Sequence, residues 1–226
     1  MKYNNIYEGV FIERPNRFIA KVLINGKTET VHVKNTGRCK EILTPGVPCY
    51  LEKSQNPNRK TSYDLIAVEK GDRLINIDSQ AVNKVFLEFL QSGGLFKDIT
   101  LIKPETTFGK SRFDFYIERR RGGAFIEVKG VTLERDGVMS FPDAPTERGT
   151  KHINELIQAH KVGYETYIVF VVQTEKVKYF TPNYETDLIF GQSLKEAKQK
   201  GVKVLAYDCS VTPDEISILK KIKIKL

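Results

Sequence analysis

Residues 112–115 read Arg-Phe-Asp-Phe, and residues 125–129 read Phe-Ile-Glu-Val-Lys. Charged and apolar side chains alternate through most of both stretches, which is typical of β-strands. Because successive side chains of a strand point to opposite faces, Glu127 and Lys129 lie on the same face. If the two strands form a hairpin, Asp114 reaches the same place from the neighbouring strand. The pattern therefore predicts two carboxylates and an ammonium group at one point of a sheet.

Two carboxylates beside an ammonium group suit a divalent cation, Mg²⁺ or Mn²⁺, because such ions take oxygen ligands. A bound ion would polarise a phosphoryl group and acidify a water molecule, and Lys129 would orient that water or neutralise developing charge. The alternative is a Glu–Lys pair on an exposed strand face. Glu127 and Lys129 stand among Phe125, Ile126 and Val128 in a strand with a buried composition, where unpaired charges are costly, and this favours the metal site.

The first eighty residues consist of short strand patterns and turns. Asn25-Gly26 separates two alternating runs, 17–24 and 28–33, and predicts a β-hairpin, because both central residues of a type I′ turn need a positive φ. Further strands are expected at 48–53 and 62–69. About five short strands without a helix predict a small closed barrel such as an OB-fold, with an SH3-like barrel as the alternative.

The pattern changes near residue 80, where we place the border between domains 1–80 and 81–226. Val82, Val85, Phe86, Phe89 and Leu90 recur at helical spacing after Ser79, a candidate N-cap. The remaining chain predicts strands at 100–108, 112–118, 124–129, 164–172 and 202–207, and helices at 146–162 and 193–200. The predicted fold class is therefore α/β (α+β), an OB-like barrel followed by a mixed sheet flanked by helices.

A second cluster of polar residues, 140–152, leads into the predicted helix at 146–162. Arg148 and His152 are four residues apart and share a face of that helix. Arg148 can bind a phosphate through two hydrogen bonds near the helix start, and His152 is a candidate phosphate contact. Plain helix capping, with an exposed His152, is the alternative.

The composition indicates a globular protein with an anionic partner. Of its 226 residues 40% are hydrophobic, which argues against wholesale disorder. The net charge of +8 is shared between 1–80 and 81–226 and suits a polyanion such as DNA or RNA. Three cysteines without ligand spacing argue against a disulfide scaffold and against a thiolate metal site. No run is long enough to cross a bilayer, so we expect a cytoplasmic protein without a membrane partner. A homo-oligomer is compatible with all of this.

The motifs resemble those of two known groups. Asp114 followed by Glu127-Val128-Lys129 resembles the PD-(D/E)xK nuclease core. The run Phe-Pro-Asp-Ala-Pro-Thr-Glu-Arg-Gly-Thr-Lys-His at 141–152, with Ile-Glu-Val-Lys-Gly-Val-Thr-Leu at 126–133, is similar to the sugar fermentation stimulation protein A (SfsA) family. Segments 14–18, 35–38, 111–115 and 201–207 agree with that family as well.

The resemblance implies an OB-like domain joined to a PD-(D/E)xK nuclease-like domain in a DNA-binding protein. The implied catalytic and metal-site residues are Glu88, Asp114, Glu127 and Lys129, and Glu105 is a further candidate metal ligand. The proline that often precedes the aspartate of such nucleases is absent, and Phe113 stands there instead. On the barrel, the candidate nucleic-acid contacts are the basic residues Arg14, Arg17, Lys34, Arg38 and Lys40. Phe11 and Phe18 could stack on bases or fill the barrel core.

Two functions are consistent with these features. The first is a DNA-binding protein with a Mg²⁺-dependent nuclease site that hydrolyses phosphodiester bonds. The second is a non-catalytic DNA-binding regulator of sugar (maltose) metabolism genes that uses the nuclease fold as a scaffold. An enzyme of small phosphorylated metabolites would be a third, and it would need a closed pocket.

Overall fold

The computed structural model describes residues 1–226, and its first part is a closed β-barrel. Its strands are β1 (Ile6–Asn16), β2 (Ile19–Ile24), β3 (Lys27–Val33), β4 (Pro48–Lys53), β5 (Tyr63–Lys70) and β6 (Arg73–Asn76). The sheet order is β3-β2-β1-β4-β5-β6, and a parallel pairing of β3 with β5 closes the barrel. This is the OB topology, and the predicted OB-like barrel is confirmed.

Local sequence explains the barrel's turns and core. Asn25 and Gly26 have φ values of 49° and 78°, as the predicted type I′ hairpin between β2 and β3 requires. The alternating apolar residues of β2 and β3 point inward, where Val22 and Val31 are fully buried. Phe11 lies in the same core at 2% exposure, so it fills the barrel and cannot stack on a base.

The second part is a six-stranded mixed sheet with helices on both faces. It contains α1 (Ala81–Gln91), β7 (Ile99–Phe108), β8 (Ser111–Arg119), β9 (Gly122–Val131), β10 (Leu133–Arg135), β11 (Val138–Phe141), α2 (Glu147–Lys161), β12 (Glu165–Val172), β13 (Tyr179–Pro182), α3 (Leu188–Gln199), β14 (Lys203–Thr212) and β15 (Glu215–Lys221). The main sheet has the order β15-β14-β12-β9-β8-β7. Strands β9, β12 and β14 are parallel neighbours, whereas β7, β8 and β15 are antiparallel to the strands beside them.

Strand β12 shows how the sheet builds two cores. Tyr167, Val169 and Val171 face α1, and Ile168 and Phe170 face α2 and α3. Every one of these side chains is buried, which explains the continuous apolar run in the sequence. The predicted mixed sheet flanked by helices is confirmed.

Two local predictions differ from the structure, and one small sheet is an addition to them. Ser79 is not the cap of α1, because its hydroxyl donates to the carbonyl of Lys34, while the carboxylate of Asp78 accepts the N–H of Gln80. Helix α3 begins at Leu188, five residues before the predicted start, because Asp187 caps it by accepting the N–H of Phe190. The small sheet β10-β11-β13 was not predicted, since its strands have only three or four residues.

The barrel and the second domain pack directly against each other. Ile66 and Ala67 of β5 belong to the same hydrophobic cluster as α1. The backbone N–H of Asn76, the last residue of β6, donates to the carbonyl of Gln173, just after β12. The change from barrel to helix thus falls between Asn76 and Ala81, within a packed interface. No helix in the structure has the length and apolar character needed to cross a membrane.

Candidate active site

Asp114 lies where strands β8 and β9 separate. Their regular pairing begins at Phe115 and Ile126, and one residue earlier the carboxylate of Asp114 accepts the backbone N–H of Val128 at 2.7 Å. Its other oxygen accepts a hydrogen bond from Asn83 of α1 at 2.8 Å. The side chain therefore replaces a backbone acceptor at this fork and is held from both sides.

Glu127 lies on the adjoining strand, β9, and is almost fully buried, with 2% of its surface exposed. Its oxygen Oε1 accepts hydrogen bonds from Nζ of Lys129 and from Nδ1 of His152, each at 2.5 Å. The alternation of strand β9 puts Glu127 and Lys129 on the same face, as expected. This face packs against α2, which supplies His152. The carboxylate is thereby fixed in one orientation.

The two carboxylates differ in how far the protein compensates their charge. Burial, and next the negative charge of Glu127, raise the pKa of Asp114 above its ordinary value. Burial works against ionisation of Glu127 too, but the hydrogen bond from His152 and the charge of Lys129 outweigh it, and the pKa of Glu127 lies below its ordinary value. The second oxygen of Glu127, Oε2, is buried and has no hydrogen-bond partner.

A divalent cation fits these donors. An unpartnered buried carboxylate oxygen beside a second, like-charged carboxylate is an arrangement that a cation relieves. Asp114 and Glu127 would be the acidic ligands, and no group of three or more His, Cys, Asp or Glu side chains is placed to hold a metal ion. The remaining ligands would then have to be backbone carbonyls, water or substrate oxygens, which is usual for Mg²⁺.

The structure does not bring Glu88 to this site. Glu88 is on α1 five residues beyond Asn83, ~7.5 Å further along the helix axis. Its carboxylate pairs with the N-terminal amine of Met1 at 2.6 Å, and this amine also donates to the carbonyl of Ile216. The predicted role of Glu88 as a catalytic and metal-binding residue is therefore corrected.

Glu105 does not complete the ligand set either, although the register of β7 and β8 places it opposite Asp114. Its backbone is in the left-handed region, with a φ of 53°, and its exposed side chain turns to Arg112, 3.5 Å away. This local twist of the edge strand turns the Glu105 carboxylate away from Asp114. The prediction that Glu105 is a metal ligand is therefore corrected as well.

His152 has a different place from the predicted phosphate contact. It is buried, at 5% exposure, and its Nδ1 is engaged by Glu127, so its primary contact is with a site carboxylate. Its ring also lines a cavity of about 520 Å³ at the start of α2, next to the exposed Arg148. The other charged residues that line this cavity are Lys110, Arg112, Glu147 and Lys151. Four cations against one carboxylate make the cavity compatible with a phosphate, and the role of Arg148 as a phosphate contact stays a prediction.

Two of the predicted nucleic-acid contacts on the barrel are structural. The guanidinium of Arg14 donates to four backbone carbonyls, those of Arg17, Asn35, Gly37 and Arg38, and so holds the loop after β3. Lys34 is only 15% exposed and pairs with the buried carboxylates of Asp64 and Asp78. Neither cation is free to bind a phosphate, which corrects both predictions.

Arg17, Arg38 and Lys40 remain exposed and line a second basic cavity, of about 380 Å³, beside the loop at 144–145. Phe18, next to Arg17, has 55% of its surface exposed, so it is outside the barrel core. This combination of exposed cations and an aromatic side chain is the one that single-stranded nucleic acids use on OB-folds.

Sequence reasoning missed the contacts of His152 and Asn83 with the two carboxylates. Both contacts join elements that are 25 to 31 residues apart, so no local pattern reveals them. The one available signal for His152 was its place in the conspicuous run 141–152. That run also holds the barrel loop, since the carboxylate of Asp143 accepts the N–H of Cys39.

The comparisons with known proteins cover both domains. A family profile described as "SfsA N-terminal OB domain" matches residues 12–77, and one described as "Sugar fermentation stimulation protein RE domain" matches residues 80–215. A sugar fermentation stimulation protein homolog of Clostridium beijerinckii is 57% identical over 218 residues, which cover 96% of each chain. A homolog of Desulfitobacterium hafniense is 57% identical over 226 residues, covering 100% of this chain and 99% of the relative.

A solved structure is similar over the whole chain. It is titled "The structure of Pyrococcus Furiosus SfsA in complex with Ca2+" and has a TM-score of 0.91, with 29% sequence identity over 100% of this chain and 98% of that one. The similarity in sequence and the similarity in fold agree with the resemblance of the 126–133 and 141–152 motifs. This chain belongs to the sugar fermentation stimulation protein (SfsA) family.

Proposed function

We propose that this protein binds nucleic acid and hydrolyses its phosphodiester bonds at Asp114, Glu127 and Lys129 with the help of Mg²⁺ or Mn²⁺. The observation that carries the proposal is the pair of carboxylates at the fork of β8 and β9, of which Glu127 keeps a buried oxygen without a partner. The arrangement matches the PD-(D/E)xK order of an aspartate on one strand and Glu-x-Lys on the next.

In this proposal Asp114 and Glu127 hold the ion, which when bound neutralises phosphate charge and acidifies a water molecule. Lys129 is 17% exposed and close to Glu127, so its ammonium can orient the attacking water or stabilise charge on the phosphate. His152 acts as a positioning residue, because it fixes the orientation of the Glu127 carboxylate. Arg148 and its cationic neighbours bind an adjacent phosphate of the strand.

The family structure supports the choice of ion. The Pyrococcus furiosus protein is described as a complex with Ca²⁺, and Ca²⁺, like Mg²⁺, takes oxygen ligands. A hard divalent cation is thus compatible with this fold at 29% sequence identity. A Ca²⁺ ion occupying the same carboxylates would not support cleavage as Mg²⁺ or Mn²⁺ does, and this difference is useful in an assay.

One observation favours the second function, a non-catalytic DNA-binding regulator. Lys129 and His152 both bind Oε1 of Glu127, so part of the carboxylate charge is compensated without a metal ion. A scaffold that has lost catalysis needs such internal compensation. In that case the exposed cations of the barrel would carry all of the activity, which is DNA binding.

The experiment incubates end-labelled single- and double-stranded DNA and RNA with the protein in Mg²⁺, Mn²⁺, Ca²⁺ or EDTA. We expect cleavage in Mg²⁺ or Mn²⁺ only, and a loss of roughly 100-fold or more in Asp114→Asn and Lys129→Met, because each removes a group that acts on the reacting phosphate. Glu118→Gln, an exposed carboxylate on the same strand β8, is the matched control and should cut normally. Binding without cleavage by the wild type in every metal would reject the nuclease and leave the regulator.

A further inference from the structure

A third cavity, also of about 380 Å³, lies between the barrel and the second domain, and we call it the interdomain pocket. The residues that matter for its chemistry are Arg17, Gly130, Ser140, Phe141, Asp143 and Gln173. Gly130 belongs to β9, the strand that also carries Glu127 and Lys129, and it lies beside Gln173 and Val82 of α1. Pockets of this size at domain interfaces are common sites for small ligands.

Gln173 presents a fixed hydrogen-bond acceptor in this pocket. The side chain is 99% buried, and its Nε2 donates to Oδ1 of Asn76 and to the carbonyl of Asp78. These two bonds fix which end of the amide is oxygen. The oxygen Oε1 accepts no hydrogen bond in the structure and lies beside Gly130, where a Cβ atom would approach it to 2.8 Å. The glycine therefore leaves room for a ligand atom at this oxygen.

Asp143 and Ser140 add further free polar groups. One carboxylate oxygen of Asp143, Oδ2, accepts the N–H of Cys39, and the other accepts no hydrogen bond. The hydroxyl of Ser140 makes no hydrogen bond in the structure. The wall thus holds an amide oxygen and a carboxylate oxygen that can both accept hydrogen bonds from donors of a ligand. Such donors are the amino groups of a nucleobase or the hydroxyls of a sugar.

The interdomain pocket continues into the basic cavity on the barrel. The two cavities share Arg17, Thr36, Gly37, Ala144 and Pro145, and the basic cavity adds Arg38 and Lys40. One end of the combined groove is therefore cationic, and the other end carries uncharged or acidic acceptors. A ligand that matches this polarity has an anionic group at one end and hydrogen-bond donors at the other.

We infer that the interdomain pocket binds one nucleotide unit, with the base and sugar at Gln173 and Asp143 and the phosphate at Arg17. The inference rests on the proposed function for the polymer to which the nucleotide belongs. It adds that the strand passes between the two domains and that one of its nucleosides enters the interdomain pocket. A sugar phosphate shares the hydroxyls and the phosphate, but the side chains of Phe141, Leu133 and Pro145 in the lining favour the flat apolar face of a base.

The test measures equilibrium binding of deoxyadenosine 5′-monophosphate by isothermal titration calorimetry in EDTA, so that no metal-dependent step contributes. We expect saturable 1:1 binding with a Kd of about 1 mM or tighter. Arg17→Gln should raise the Kd at least tenfold, because it removes the cation next to the phosphate. Lys27→Gln removes an exposed cation from the β2–β3 hairpin, outside both cavities, and should leave the Kd unchanged.

Asp143→Asn is the decisive variant. An asparagine oxygen can still accept the N–H of Cys39, but its NH₂ group replaces the free acceptor with a donor. We expect at least fivefold weaker binding of the nucleotide. Inorganic phosphate, in contrast, should bind Asp143→Asn as well as or better than the wild type, because a negative charge has been removed.

The other outcomes decide between the ligand classes. Glucose 6-phosphate binding as tightly as the nucleotide would reject the nucleotide assignment, and so would equal affinities for the nucleotide and inorganic phosphate. Absence of saturable nucleotide binding up to 10 mM, roughly ten times the expected Kd, would also reject it. The measurement needs no metal, so it tests the pocket separately from the nuclease. A protein that binds the nucleotide but cleaves no nucleic acid would reject the proposed nuclease and support the nucleotide pocket.

Discussion

Arg14 and Arg38 show how two cations of one loop region acquire different roles. The guanidinium of Arg14 donates hydrogen bonds to four backbone carbonyls, whereas Arg38 is exposed beside a basic cavity. We predict that Arg14→Ala lowers the free energy of unfolding by at least about 2 kcal/mol, because four backbone carbonyls of this region, two of them partly buried, lose a charged donor. Urea denaturation followed by circular dichroism measures this loss.

Arg38→Ala should weaken DNA binding and leave the stability of the fold unchanged. We expect an unchanged midpoint in urea, a weaker affinity for DNA at low salt, and a smaller slope of log K against log salt by about one, as one phosphate contact is lost. Fluorescence anisotropy with a labelled oligonucleotide between 50 and 200 mM salt, the range over which such contacts weaken, measures both quantities. An Arg14→Ala protein of normal stability and lowered affinity would reverse our assignment.

The candidate site shows which residue contacts a sequence can reveal. Glu127 and Lys129 share a strand face because of a period of two, so their pairing was predictable. Asp114 followed from the hairpin pattern. Glu88 was misplaced because helical spacing only tells which face of α1 is buried, whereas its partner, the N-terminal amine, lies 87 positions away in the chain.

Helix α2 carries both Arg148, the candidate phosphate contact, and His152, which fixes the orientation of the Glu127 carboxylate. Thr146 caps it, because its hydroxyl accepts the N–H of Gly149 at 3.0 Å. We predict that Thr146→Ala lowers the free energy of unfolding by about 1 kcal/mol, and that Thr146→Ser, which keeps the hydroxyl, stays within a few tenths of the wild type. Denaturation curves of the three proteins check this, and equal losses in both variants would show that the methyl group matters instead.

At the same scale, the sequence predicted long periodic elements well and short ones poorly. Helix α2 was predicted at 146–162 and spans Glu147–Lys161, because a Thr cap and a terminal glycine delimit it. The strands of the sheet β10-β11-β13 are too short for any periodicity. They form because β11 pairs with β13 about forty residues later, and a pairing at that distance depends on the tertiary fold.

For the whole molecule, the sequence did not predict how firmly the barrel and the second domain are joined. Glu134 of β10 is 3% exposed and pairs with two cations of the barrel, Lys70 at 2.7 Å and Arg73 at 2.5 Å. Glu134 is about sixty positions from Lys70 and Arg73 in the chain. Taken alone, each of these charged residues would be expected at the surface. Their pairing joins the barrel to the second domain, and we call these contacts the interdomain clamp.

This interdomain clamp predicts how acid destabilises the protein. Burial opposes ionisation of Glu134, but the hydrogen bond from Lys70 and the N–H of Gly137 outweigh it, so the pKa of Glu134 in the folded protein lies below its ordinary value. A carboxyl group with a depressed folded pKa contributes stability that is complete above its unfolded pKa of roughly 4.3 and is lost as the pH falls through the folded pKa.

We therefore predict that Glu134→Gln lowers the free energy of unfolding at pH 7 by about 3 kcal/mol, since Lys70 and Arg73 are left without their carboxylate. Below the folded pKa the wild type has lost the same charge, and the difference between the two proteins should shrink. Urea denaturation at pH 7, 5 and 3, values that bracket the unfolded pKa, measures this convergence. Asp64, which Arg59 and Lys34 help to hold at a pKa of about 2 against its burial, lies within the barrel and is unchanged in both proteins. A constant difference at all three pH values would show that Glu134 stabilises the molecule through packing, and the interdomain clamp would then not be ionic.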